Sequence, residues 1–185
     1  MKHLIFEGAE LAGKSWIMSE VFKHLEPKAR KSEKIMDGCH WFNADNGVFG
    51  TENSQGVIEG YMKIFEALKD KNIIVEKFCL TDEIYQNLHR GEEIKHSGVY
   101  KQLLELDFKI VLITYKEDAK ILKKRIEDRL KLYPHYKDIL QDIDWYMNQQ
   151  QEYKKRIKST GLSYLTVETD VLPDDKIIKE IISWI

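Results

Sequence analysis

A charge excess of one sign, paired cysteines, a membrane-length apolar run and proline-rich linkers are all missing from this sequence of 185 residues. Its formal net charge of −2 leaves no basic surplus, so nucleic acid is not an expected partner. No run of about 18 apolar residues occurs, which is the length a membrane-crossing helix needs. No membrane partner is expected either. Cys39 and Cys79 stand far apart without Cys-x-x-Cys spacing. They read as free buried thiols in a reducing compartment, not as a disulfide or zinc framework. The three prolines are scattered and no repeat appears, so 1–185 reads as a single domain large enough for a continuous core. The first residues already read as a strand and lack a signal-peptide layout, so the expected location is cytoplasmic.

What is present begins at residue 4. Leu4 to Glu7 reads as a strand and runs into Gly8-Ala9-Glu10-Leu11-Ala12-Gly13-Lys14-Ser15, and an amphipathic stretch opens at Trp16. This is Gly-x-x-x-x-Gly-Lys-Ser in the strand–loop–helix setting that gives the pattern its meaning. Loop N–H groups and a helix N-terminus face a nucleotide's phosphates, lysine adds a point charge, and the serine hydroxyl is a ligand for Mg²⁺. Gly8, Ala9, Leu11, Ala12, Gly13, Lys14, Ser15 and Trp16 are therefore the candidate triphosphate-binding residues. A guanine-reading Asn-Lys-x-Asp is absent, which argues against a GTPase.

Further along, Ile17, Val21 and Leu25 recur at helical spacing, and Pro27 marks that helix's end. A basic stretch from Lys28 to Lys34 precedes a short candidate strand at Ile35 and Met36. Residues 37–53 read as a long polar loop whose aromatics, Trp41, Phe42 and Phe49, either stack on a base or fill a gap in the core. Ile58, Tyr61, Phe65 and Leu68 share a helical face ending at Asn72. Ile73 to Val75 and Ile110 to Thr114 are apolar without alternation, the mark of strands buried on both faces. Between them lie a helix reaching Arg90 and another at about 99–107. A charged helix follows from Glu117, with a break at Tyr133-Pro134-His135, so 117–136 is a candidate helical lid. Ile139, Ile143, Tyr146, Tyr153 and Ile157 form the stripe of the next helix. Tyr164 to Val167 is the last strand, and Pro173 and Asp174 open a closing helix that turns Ile177, Ile178, Ile181 and Ile182 inward. Alternating strands and helices opened by a P-loop predict an α/β three-layer sandwich on a five-stranded parallel sheet. Ligands then lie beyond the carboxyl ends of the strands.

Two further segments carry chemistry. Glu76 ends a buried strand, where P-loop enzymes place an acid near the magnesium ion, and it can also take a proton from an attacking hydroxyl. Lys77 beside it can reach a phosphate or stand solvated. Arg125 and Arg129 are four residues apart on one helical face and can close on the charge that moves in phosphoryl transfer. Glu127 and Asp128 between them fit a solvated face equally.

These segments together resemble the thymidylate kinase-like nucleotide kinases of the P-loop class, with deoxynucleoside kinases as relatives. The resemblance covers most of the chain and implies the P-loop nucleoside triphosphate hydrolase fold of the nucleotide kinase type. Glu10 matches the acid that this family sets at the acceptor's sugar. Glu76 to Gln86 resembles Asp-Arg-Tyr-x-x-Ser-x-x-Ala-Tyr-Gln, which implies that Glu76 serves magnesium, Lys77 the acceptor's phosphate, and Thr81, Tyr85 and Gln86 its base. The lid arginines fall on Arg125 and Arg129, and residues 169–185 resemble the closing helix. Homodimers are usual in the family. The chain departs from it on the acceptor side. Glu76-Lys77 replaces Asp-Arg, nearer in its acid to the Glu-Arg of deoxynucleoside kinases, and lysine lacks arginine's bidentate fork. No Arg-Glu-Pro-Gly-Gly occurs between Lys28 and Asn53, and no thymine-reading arginine between 54 and 70.

The expected function is ATP-dependent phosphoryl transfer to a deoxynucleoside monophosphate. Lys14, Glu76, Arg125 and Arg129 are its catalytic candidates, Ser15 and Glu76 the Mg²⁺ ligands, and Glu10, Lys77, Thr81, Tyr85 and Gln86 the acceptor site. The alternatives are a deoxynucleoside kinase and a non-catalytic nucleotide-binding module.

Overall fold

The computed structural model describes residues 1–26, 37–45 and 47–185. Pro27, the basic stretch and the candidate strand at Ile35 and Met36 lie outside the described residues. Five parallel strands form one sheet, and their order explains the sequence patterns. Strand β1 (His3–Glu7) lies at the centre, between β3 (Asn72–Glu76) and β4 (Phe108–Tyr115). These three are apolar because neighbours flank them and helices cover both faces. The edges are β2 (Cys39–Asn43), beside β3, and β5 (Tyr164–Thr169), beside β4.

Strand β2 corrects the expectation of an uninterrupted loop over residues 37–53. It is an edge strand whose alternating burial resembles a loop's mixed composition. Its aromatics pack: Phe42 meets Tyr61 and Phe65 at 6.1 and 5.8 Å between ring centroids, and Trp41 lies 5.9 Å from Phe22. Phe49 is buried too.

The helices follow the predicted stripes closely. Helix α1 (Lys14–Leu25) buries Ile17, Val21 and Leu25, and α2 (Ser54–Ala67) buries Ile58 and Phe65. Helix α2 stops five residues before Asn72, which instead opens β3 and bonds across to Gly38. Helices α3 (Cys79–Arg90) and α4 (Ser97–Glu105) precede β4, and Gly91 ends α3 in the left-handed conformation that glycine tolerates. Helix α5 (Ala119–Leu132) is capped by Asp118 and buries only Leu122. A 3₁₀ segment, Pro134–Ile139, separates it from α6 (Ile143–Arg156). Ile139 lies in that segment and is exposed, so it leaves the predicted α6 stripe, whereas Tyr146 and Tyr153 are buried. Helix α7 (Asp175–Trp184) is capped by Asp174, with Ile177 and Ile181 in the core. It packs on α1, while α3 packs on α6 and α4 on β4. No helix among the described residues is long and apolar enough to cross a membrane.

Candidate phosphoryl-transfer site

Turning from β1 into α1 forces the loop close to the next strand. Gly8 has φ 137°, and a Cβ there would overlap the Ile113 carbonyl oxygen. Gly13, at φ 86°, stands as the N-cap of α1, and a Cβ on it would strike Leu172. These two glycines answer to geometry that side chains forbid. Lys14 is buried and folds back over the loop, donating to the carbonyls of Gly8 and Ala9 at 2.7 Å each. Burial, then the nearby Lys77 ammonium, lowers its pKa from 10.5 to about 8, against the pull of Glu10, Glu76 and Glu7.

The far side of the loop is held by residues from distant elements. Arg125 Nη1 donates to the Leu11 carbonyl at 2.9 Å, and its Nη2 donates to the carbonyls of Thr169 and Asp170 at 2.9 and 2.7 Å. The Thr169 hydroxyl accepts from Arg125 and lies 3.0 Å from the Ala12 carbonyl oxygen and 2.9 Å from that of Thr114. The expected lid arginine is thus a brace between α5, β5 and the loop. Arg129 turns elsewhere, its guanidinium 4.2 Å from the centre of the Tyr136 ring. Trp16 is half-buried on the first turn of α1.

At the end of β3, Glu76 accepts a 2.8 Å hydrogen bond from the Ser15 hydroxyl. These two oxygen donors come from separate elements, and oxygen is what Mg²⁺ selects. The pair fits an ion held partly by the protein and partly by phosphates and water. Among the described residues no group of three His, Cys, Asp or Glu side chains stands ready to bind a metal unaided.

Lys77 follows in a left-handed conformation, φ 58°. Its ammonium donates to Asp45 at 2.6 Å and to the Tyr85 hydroxyl at 3.1 Å, and lies 3.9 Å from Glu10. Tyr85 in turn donates to Glu10 at 3.0 Å. Burial pulls the Lys77 pKa down, but Asp45 and Glu10 outweigh it and hold the group above its ordinary value. Burial and the same carboxylates push Tyr85 well up, so its hydroxyl remains a donor. Gln149 from α6 receives the Glu10 N–H at 2.8 Å and fixes the loop's inner turn.

Glu10, Lys77 and Tyr85 are therefore brought together as expected, but Thr81 and Gln86 are not among them. Thr81 is fully buried and bonds to Glu7 and Tyr153. Gln86 is buried too, and its amide holds the Thr51 carbonyl at 2.7 Å. Both lie inside the helix packing, apart from the cluster of Glu10, Lys77 and Tyr85. The residues missed were Asp45, Gln149, Thr169 and Glu7. Glu7 alone left a local signal, an acid closing an otherwise apolar strand.

No protein-family model and no curated protein matches the sequence. Solved structures do match it along nearly their whole length. The YorR protein of Bacillus subtilis, in complex with phosphorylated GDP, is 21% identical, with 99% of this chain and 95% of that one covered and a TM-score of 0.65. Deoxyadenosine kinase from M. mycoides with bound dATP is 16% identical, covering 100% and 98%, at 0.60. Thymidylate kinase from Ehrlichia chaffeensis is 13% identical, covering 99% and 97%, at 0.55. At these identities the likeness is one of fold, that of P-loop kinases.

Proposed function

We propose that this chain transfers the γ-phosphoryl group of ATP to a hydroxyl of an uncharged, nucleoside-type acceptor. The observation that carries this reading is the state of Lys77. Its charge is spent on Asp45 at 2.6 Å and Glu10 at 3.9 Å. A monophosphate needs surplus positive charge or a bidentate guanidinium, whereas sugar hydroxyls pair with carboxylates and a tyrosine hydroxyl. Deoxyadenosine kinase among the structural neighbours agrees with such an acceptor.

In this reading Lys14 and the loop amides grip the donor's phosphates, and Arg125 keeps the loop in shape. Ser15 and Glu76 would hold Mg²⁺, which supplies neutralising charge across the phosphates when bound. Glu10 and Tyr85 orient the acceptor. Its oxygen bonds to the γ-phosphorus as the bond to ADP breaks, and Glu76 takes the hydroxyl proton. Alignment and charge neutralisation supply most of the rate.

The test is ADP release from ATP and Mg²⁺ against a panel of nucleosides and their monophosphates. Stimulation by nucleosides is expected, with turnover lost in Lys14→Ala. Stimulation by monophosphates alone would replace this reading with a nucleotide kinase, whose phosphate would displace Asp45 from Lys77. Stimulation by neither would leave a nucleotide-binding module. Asp45→Asn frees Lys77 from its nearest carboxylate, and should shift the ratio of kcat/KM values toward monophosphates by about tenfold.

A further inference from the structure

Glu7 has no ligand-holding role in the site described above, yet it lies under it. It ends β1 immediately before Gly8 and is only 1% exposed. One carboxylate oxygen accepts the N–H of Phe78 at 3.0 Å and that of Thr81 at 3.4 Å. The other accepts the Thr81 hydroxyl at 2.5 Å, and that hydroxyl lies 2.7 Å from the Tyr153 hydroxyl. The chain of bonds therefore runs from α6 through α3 into β1.

These partners are specific to the start of α3. Phe78 is its N-cap residue and supplies no side-chain cap of its own. A helix start leaves unsatisfied N–H groups and a partial positive charge. Glu7 satisfies both from another strand. Two residues before Phe78 is Glu76. The turn between them, through left-handed Lys77, is held at one side by the Lys77 N–H to Phe6 carbonyl bond at 3.0 Å and at the other by Glu7. Glu76 is the last residue of β3, paired with Phe6 and Asn43, and that turn fixes how the chain leaves it beside Ser15.

We propose that Glu7 is a positioning residue, capping α3 from β1 and thereby fixing Glu76 against Ser15 for the Mg²⁺ that accompanies the nucleotide. The inference rests on the kinase reading only for its use of Mg²⁺ with ATP. Groups that act through a ligand's second contact shell are worth about 10- to 100-fold in metal affinity or activity.

The test is titration of ATP binding with and without Mg²⁺, alongside thermal unfolding. Wild type should bind ATP more tightly with the ion. Glu7→Ala should lose about tenfold or more of that gain, with Mg²⁺-free affinity within about twofold of wild type. Thr81→Val removes one clamp contact without changing shape, should lose part of the same gain, and serves if Glu7→Ala does not fold. An undiminished Mg²⁺ gain in a folded variant would overturn the proposal. So would an equal loss of affinity with and without the ion, which marks a merely structural clamp. Binding is read without turnover. A protein that binds Mg²⁺ with ATP as described but phosphorylates nothing would therefore sink the kinase reading and leave this one standing.

Discussion

At Glu7 the burial of a carboxyl group makes stability depend on pH in an unusual direction. Burial raises its pKa from 4.5 to about 7, against bonds from Thr81 and Phe78 and the charge of Lys14 that lower it. Between those two values the folded chain holds a proton that the unfolded chain has released. Raising the pH through this window therefore costs stability, and the whole penalty is present above about 7. Glu7→Gln carries no charge to lose. Its stability relative to wild type should climb by on the order of 3 kcal/mol between pH 4 and pH 8, for a carboxyl moved from 4.5 to about 7. Urea unfolding at the two pH values checks this, and a pH-independent difference would refute it. The penalty persists because the same carboxylate caps α3, a function that a neutral apolar residue cannot supply.

At the scale of elements, α5, the candidate lid, supplies a brace for the loop beneath it. Arg125 makes bonds to three backbone carbonyls and one hydroxyl, joining Leu11, Thr169 and Asp170. Bonds from a charged donor are worth about 1.5–3 kcal/mol each, so losing even one that shapes the loop is felt in donor binding. Arg125→Ala should raise KM for ATP by about tenfold or more and lower the melting temperature. Arg125→Lys should not restore either, since an ammonium cannot span two separated sets of carbonyls from one planar fork. A fall in kcat with unchanged KM would instead mark an arginine that acts only in the transition state. The helical face shared by Arg125 and Arg129 was legible from spacing. The targets of those arginines were not, because Arg125 reaches residues 44 or more positions away and Arg129 turns onto the ring of Tyr136.

Across the whole molecule, legibility follows the range of the interaction. Strands β1, β3 and β4 declared themselves because burial on both faces leaves an unbroken apolar run, and the glycine loop did so because its chemistry is contiguous. The edge strand β2 hid in a polar, aromatic stretch that only its pairing with β3 explains. Asp45 and Gln149 were likewise silent. Each meets the site only after β2 and α6 have packed, and neither carries a local pattern. The same ordering should govern local stability. Helix α5 buries a single side chain, whereas every residue of β1 is buried. Amide hydrogen exchange should accordingly be faster in α5 than in β1, β3 and β4, and ATP should slow it in α5 through Arg125. Protection in α5 equal to that of the central strands would contradict this.

The two carbonyls of the glycine loop held by Arg125 and Thr169 also bear on how the chain is made. Residues 8–15 leave the ribosome well ahead of their braces, because the partners of Leu11 and Ala12 follow only when residues 125 and 169 have been added. At about 5–20 residues per second that interval is roughly 8 to 30 seconds. Until β3 and β4 have emerged, β1 presents open backbone edges of the kind that recruit other strands. The central strands can therefore pair before the nucleotide loop receives its last brace, and the phosphate site is finished after the part of the sheet that carries it.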